Sequence, residues 1–468
     1  MPQSLFAFGS NGNGQLGIGS DEDTSIPLQV QFIPPLPSHI QQQHVHENSI
    51  QTPFHDFAAG GNHTVFITRG EKRLYMTGSN KDGELLLQEP TQVFIHHEFL
   101  SDLQSKNNHD SSINKEEKEG EDLQRWRSVA CGWAFTIAVT EPESTTKPDS
   151  TTRCRVKCVN KAYAWGSGAF GELGLGPSLT KTGRKPIAIE KGLLGTNTTT
   201  AIASSTSTIL SQIEILKVKA GLRHVLLLAR ENFIDGQEET SRTLLIGWGS
   251  NRQGQLGVLE RLDGSSEPFT EKELRGKFME PTRIMIAKEQ LTNNHNPQSA
   301  PVIVDMACGQ NHSLVLFSDG TVYSSGLNKY GQLGPSASSD QEARDFRIGF
   351  KKIHGLPFVN SITCGWNHNA AMDTSSLQGK TTIYLWGRDD HGQLGSDIPL
   401  VLVDGIAMHG DGTSMETAAV ATAAAMIDRM YLRHAKSASQ TRLQTETLIG
   451  KGGLLEDTAL RGYGLESF

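Results

Sequence analysis

Apolar positions along the chain come in short runs rather than in long helical stripes. Thr64-Val65-Phe66-Ile67-Thr68, Val225-Leu226-Leu227-Leu228, Leu244-Leu245-Ile246-Gly247-Trp248 and Leu314-Val315-Leu316-Phe317 are each brief, apolar or β-branched, and bounded by turn residues. Runs of that kind predict strands. Ser318-Asp319-Gly320-Thr321 lies between two of them and reads as a hairpin turn, because Asp-Gly readily takes the backbone angles a tight turn demands. One helix is predicted, over residues 414–436. There Val420, Ala424, Ile427 and Tyr431 share a face, and Arg429, Arg433, His434 and Lys436 gather near the end that favours cations.

Two motifs alternate between the runs. The first is an aromatic or small residue, Gly, a variable stretch, then Gly-Gln/Glu-Leu and usually Gly. Its copies are Phe8-Gly9…Gly14-Gln15-Leu16-Gly17, Thr77-Gly78…Gly83-Glu84-Leu85, Trp165-Gly166…Gly171-Glu172-Leu173-Gly174, Trp248-Gly249…Gly254-Gln255-Leu256-Gly257, Ser325-Gly326…Gly331-Gln332-Leu333-Gly334 and Trp386-Gly387…Gly392-Gln393-Leu394-Gly395. The second is small-small-Gly-x-x-His: Ala58-Ala59-Gly60-Gly61-Asn62-His63, Lys219-Ala220-Gly221-Leu222-Arg223-His224, Ala307-Cys308-Gly309-Gln310-Asn311-His312 and Thr363-Cys364-Gly365-Trp366-Asn367-His368. A fifth copy, Ala130-Cys131-Gly132-Trp133-Ala134-Phe135, ends in Phe. The first glycines lie 69, 88, 83, 77 and 61 residues apart. A unit of about 50 residues with insertions fits a four-stranded propeller blade. The expectation is an all-β chain forming a single β-propeller, with six repeats recognisable and seven blades in the ring. Residues 1–395 make the propeller, and 396–468 form a divergent tail that replaces or completes the last blade.

That architecture gives each motif a reason. Innermost strands converge on the ring axis, where Ala, Cys and Gly leave room for neighbouring backbones. The Gly-Gln-Leu-Gly stretch reads as a tight turn whose leucine plugs the gap between blades. The residue after the second motif's glycine is Gly61, Trp133, Leu222, Gln310 or Trp366. A position packed between blades does not tolerate such variety, so it is expected at the channel mouth, with Trp133 and Trp366 as candidate partner anchors; the alternative is that the two tryptophans pack between blades. The acidic turn Asp21-Glu22-Asp23 is a second candidate contact.

The alternating motifs resemble the β-propeller repeats of the regulator-of-chromosome-condensation family. The opening Phe6-Ala7-Phe8-Gly9-Ser10-Asn11-Gly12-Asn13-Gly14-Gln15-Leu16-Gly17, on to Asp23, and the Ala130-Cys131-Gly132-Trp133 copy are most similar to the fungal alpha-tubulin-suppressor branch of that family. The resemblance implies a protein-interaction propeller, partnered with the small zinc-binding protein that serves diphthamide synthesis and Elongator-dependent tRNA wobble-uridine modification. The alternative it implies is a guanine-nucleotide exchange factor for a Ran-like small GTPase, as in the family's founding member.

Composition narrows this further. Glycine accounts for 48 of 468 residues, above the usual ~7%, as a turn-rich fold requires. The net charge of −8 argues against a direct nucleic-acid surface. No apolar run is long enough to span a bilayer, and the first residues lack the pattern of a signal peptide. Five cysteines without a regular framework suggest reduced thiols in the cytoplasm, the nucleus or both. Cys154-x-x-x-Cys158 has no second ligand pair nearby, and histidines repeated once per blade cannot converge on one ion, so no metal or cofactor is expected. No catalytic constellation is found. Polar stretches at 101–124, 141–153, 196–212 and 287–300 read as mobile loops on one face.

Overall fold

The computed structural model describes residues 5–36, 54–97, 124–142, 160–190, 193, 197–202, 205–235, 238–261, 267–286, 301–335, 345–374, 382–389, 394 and 403–404. Strands β1 (Phe6–Gly9) and β2 (Thr24–Gln29) pair only with each other. The first blade follows, from β4 (Phe54–Ala59) through β5 (His63–Thr68) and β6 (Leu74–Gly78) to β7 (Thr91–His96), with β3 (Phe32–Ile33) added in parallel at its outer edge. The second blade is β8 (Trp126–Cys131), β9 (Phe135–Thr140), β10 (Ala162–Gly166) and β11 (Ile187–Ala188).

The third blade is the largest. It contains β12 (Asn197–Ile202), β13 (Ser205–Ala220), β14 (His224–Asp235), β15 (Glu238–Ser250), β16 (Val258–Leu259) and β17 (Lys277–Met285), with a one-turn helix α1 (Glu271–Leu274) before the last. The fourth blade is β18 (Ile303–Cys308), β19 (His312–Phe317), β20 (Val322–Leu327) and β21 (Phe346–Lys352). The fifth is β22 (Ser361–Cys364), β23 (His368–Asp373), β24 (Thr382–Gly387) and β25 (Val403–Asp404).

The chain is thus an all-β propeller, but the expected seven blades are corrected to five, plus the two-stranded β1–β2 sheet, among the described residues. The reason is visible in the motifs. Six copies of the turn motif include Phe8–Gly17, which belongs to the two-stranded sheet, whereas only five copies of the inner-hairpin motif exist to build inner strand pairs. A second correction concerns 196–212, expected as a mobile loop. Residues 197–202 and 205–210 pair as an antiparallel hairpin that lengthens β13, consistent with the strand preference of their many Thr and Ile residues. The fifth sheet draws its outer strand from residues 403–404, past the expected boundary at 395. The helix expected over 414–436, the Cys154/Cys158 pair and the stretches at 101–123, 143–153 and 287–300 lie outside the described residues.

The two motifs face each other within each blade. His63 pairs with Gly78, Phe135 with Gly166, His224 with Gly249, His312 with Gly326 and His368 with Gly387. Gly249 shows why the partner is glycine: its φ is +99°, and a Cβ there would lie 2.5 Å from the Arg223 carbonyl oxygen. The core lies between blades. Leu85 sits among Trp126, Val129 and Trp165 of the next blade, Leu173 among Val225, Ile246 and Trp248, and Leu256 among Met306, Val315 and Phe350.

Candidate functional site

The inner hairpins position everything at the channel mouth. Each begins on a strand of small residues and turns at Gly-x-x-His/Phe. The glycine is required because the histidine ring folds back over it: a Cβ on Gly309 would sit 2.0 Å from His312 Cε1. The histidine then reaches into the next blade. His63 Nε2 lies 2.9 Å from Thr136 Oγ1, His224 Nε2 2.9 Å from Ser313 Oγ, and His312 Nε2 2.7 Å from Asn369 Oδ1.

Two of these bonds fix the tautomer. The Thr136 hydroxyl donates to the Glu84 carbonyl and Asn369 Nδ2 donates to the Gln332 carbonyl, so His63 and His312 must donate through Nε2–H. Their bare Nδ1 atoms are buried without partners among the described residues. Burial lowers the pKa of His63 and His312 to about 4 and of His224 and His368 to about 3. All four are neutral near pH 7, and His63, His224 and His312 are structural ties between blades. Where Phe135 replaces histidine, the facing residue is apolar Val225, and the two share one core cluster. His368 Nε2 has no partner among the described residues.

Sequence reasoning missed a second set of ties. Trp165 Nε1 donates to the Glu84 carbonyl at 2.6 Å, Trp248 Nε1 to the Glu172 carbonyl at 2.8 Å and Trp386 Nε1 to the Gln332 carbonyl at 3.1 Å. Thr77 and Ser325 hold the same slot and reach the Gly14 and Gly254 carbonyls instead. The Gln/Glu position also has a clear task. Its carboxamide or carboxylate oxygen accepts the backbone N–H two residues earlier, as Gln255 does from Gln253 at 2.9 Å and Glu172 from Phe170 at 2.6 Å. Burial raises the pKa of Glu84 and Glu172, but each sits clipped in its own blade's turn, so they form no acid/base pair.

The five hairpin turns meet around one axis. The Gly61 N–H donates to the Gly132 carbonyl, Trp133 N–H to Leu222, Leu222 N–H to Gln310 and Gln310 N–H to Trp366, at 2.8–3.2 Å. Behind this chain of backbone bonds lies a cavity of about 150 Å³, floored by Ala59, Cys131, Ala220, Cys308, Cys364 and Lys219. Burial pushes the Cys308 thiol up to about 12 and raises that of Cys131, so neither is a thiolate nucleophile. Among the described residues no group of His, Cys, Asp or Glu converges as a metal site.

Trp133 and Trp366, from the second and fifth blades, stand over this cavity with ring centroids 6.2 Å apart and planes at 50°. Trp133 is 41% exposed and Trp366 half-buried. The structure thus brings the two tryptophans together at the mouth. Asp21, Glu22 and Asp23 lie elsewhere, exposed just before β2. Asp23 there closes the turn by accepting the Asn11 N–H.

A family model described as "RCC1-like domain" matches residues 4–426. The bovine "Secretion-regulating guanine nucleotide exchange factor" is 26% identical over 402 residues, covering 84% of this chain and 62% of that protein. The Arabidopsis thaliana "Ultraviolet-B receptor UVR8" is 23% identical over 391 residues, covering 83% and 62%. The chain therefore spans about three fifths of the length of these relatives. Among solved structures, Prp20p of Saccharomyces cerevisiae is similar at 16% identity and a TM-score of 0.43, covering 94% of this chain and 87% of that one.

Proposed function

Because the chain belongs to the RCC1-like domain family, we propose that it is a non-enzymatic propeller that holds a folded protein partner against its channel mouth, with Trp133 and Trp366 as anchors. One observation carries this reading: a pair of large aromatic side chains lines a cavity, partly exposed, on a run of turns joined by backbone hydrogen bonds. Trp presented on a preorganised surface binds at low entropic cost and often supplies most of an interface's energy. The Cys131 and Cys308 thiols are protonated and the neighbouring histidines neutral, so these groups suit contact rather than bond-making.

The partner that the opening segment and the Trp133 copy favour is the small zinc-binding protein of diphthamide synthesis and wobble-uridine modification. The test is capture of that purified protein on immobilised propeller. Saturable binding that weakens at least about tenfold in Trp133→Ala supports the reading. Absence of binding, together with normal wobble-uridine modification in a deletion strain, removes it.

A second reading has its own support. The bovine and mouse relatives carry the name of a guanine nucleotide exchange factor. Exchange would need only a surface that distorts a bound GTPase, not catalytic side chains. Accelerated nucleotide release from a Ran-like GTPase at substoichiometric propeller selects this reading; unchanged release rejects it.

A further inference from the structure

Next to the mouth, the turns gather cations around one aromatic ring. Phe170, in the turn before Gly171 of the second blade, is half-buried. Three side chains of the third blade close on its ring. Arg223 Cζ is 4.1 Å from the centroid, Lys277 Nζ 4.5 Å and Arg252 Cζ 5.5 Å. Arg275 adjoins them: its Nε donates to the Arg252 carbonyl at 3.2 Å while its guanidinium lies over Phe346 at 4.5 Å. Lys277 Nζ also donates to the Ala169 carbonyl at 3.2 Å.

None of these four cations is in an ion pair among the described residues, although Arg127, Lys181, Lys217, Lys219, Arg242 and Arg283 elsewhere all are. The carboxylate facing the cluster is Glu172. It is buried, with an oxygen already accepting the Phe170 N–H, and it offsets at most one of the charges.

Such crowding of cations with no ion-pair partner among the described residues is unfavourable for the free protein, because their like charges repel at short range. Contacts with the face of a single ring offset only part of that repulsion. An arginine laid on a ring still presents its N–H edge, the geometry that receives carboxylates. Arg252, Arg275 and Lys277 are exposed. The cluster also begins one residue from the mouth, since Arg223 follows Leu222, whose backbone bonds link it to Trp133 and Gln310. The cations therefore adjoin the turn that forms the third blade's part of the mouth.

We propose that Arg223, Arg252 and Lys277 around Phe170 form a shoulder of the mouth that receives a carboxylate-rich segment of a protein partner. This rests on the reading of the mouth as a partner-binding surface. A compact group around one ring suits a short acidic segment better than a nucleic-acid backbone, which calls for a basic stripe tracking successive phosphates.

The test uses the full chain and a fluorescently labelled alternating Asp-Glu peptide, followed by anisotropy across a salt series. Saturable binding that falls as salt rises is expected. Arg223→Gln, Arg252→Gln and Lys277→Gln should each weaken it roughly tenfold, with thermal melts checking the fold. Arg252→Glu/Lys277→Glu, both at exposed positions, should abolish it. Trp133→Ala should leave peptide binding intact while weakening partner capture. No peptide binding, or binding unaffected by the charge variants, overturns the shoulder even where partner capture still depends on Trp133. Tighter binding of a single-stranded oligonucleotide by the same cations overturns it in favour of nucleic acid. Peptide binding with partner capture indifferent to Trp133 retains the acidic-ligand site and sinks the reading of the mouth.

Discussion

At the scale of residues, the most informative position is the one after each inner-hairpin histidine or its Phe135 replacement: Thr64, Thr136, Val225, Ser313 or Asn369. Three of these side chains complete a histidine bond from the preceding blade, and Val225 faces a phenylalanine. The pairing was present in the sequence as covariation among internal copies, but the partners stand 57 to 89 positions apart, so local pattern does not reveal it. His312→Ala should cost on the order of 2–4 kcal/mol, since it empties a packed site and strands the Asn369 carbonyl, and a lowered urea midpoint would show it. Acid should act through the same groups. Unfolded histidines take up protons near pH 6.5, and these four only near 3–4, so protonation favours the unfolded chain. Their contribution is complete above pH 6.5 and is lost as pH falls toward 4, by up to about 1.4 kcal/mol per pH unit for each group. Melts between pH 7 and 5 should show stability falling with pH, with a shallower slope in His312→Gln than in the parent chain.

At the scale of elements, each blade is held to the next by its turn motif. The Trp248 indole donates to Glu172, and Leu256 fills the gap on the other side. Trp248→Phe should lose about 1 kcal/mol in equilibrium unfolding, from one buried hydrogen bond. Gln255→Glu should be nearly neutral, because Glu84 and Glu172 already do this work, whereas Gln255→Ala leaves the Gln253 N–H without its acceptor and should cost about 1 kcal/mol. Gly309→Ala is expected to be far worse than either, because the new methyl collides with the His312 ring; failure to recover soluble, folded protein, or a drop of several kcal/mol, would be the readout. The motifs themselves were legible from spacing and residue type. The hairpin at 197–210 was not, because a Ser/Thr-rich polar stretch reads as a loop until its two arms pair with each other as an extension of β13.

At the scale of the molecule, the arrangement predicts separable effects on stability and binding. Trp133→Ala, at a 41% exposed position, should leave the melting temperature within a degree or two while weakening partner capture, whereas a change at Trp165 or Trp248, both fully buried, should do the reverse. Calorimetry alongside the capture assay would decide it. The sequence alone determined the all-β architecture and the alternation of two motifs. Strand period, turn chemistry and crowding at an axis are local constraints written into residue type and spacing. The blade count among the described residues, the meeting of Trp133 with Trp366 and the gathering of Arg223, Arg252 and Lys277 on Phe170 were decided only by tertiary structure. Those contacts join different blades across insertions of unequal length, so their register depends on how the ring is wound, and no periodicity along the chain carries that information.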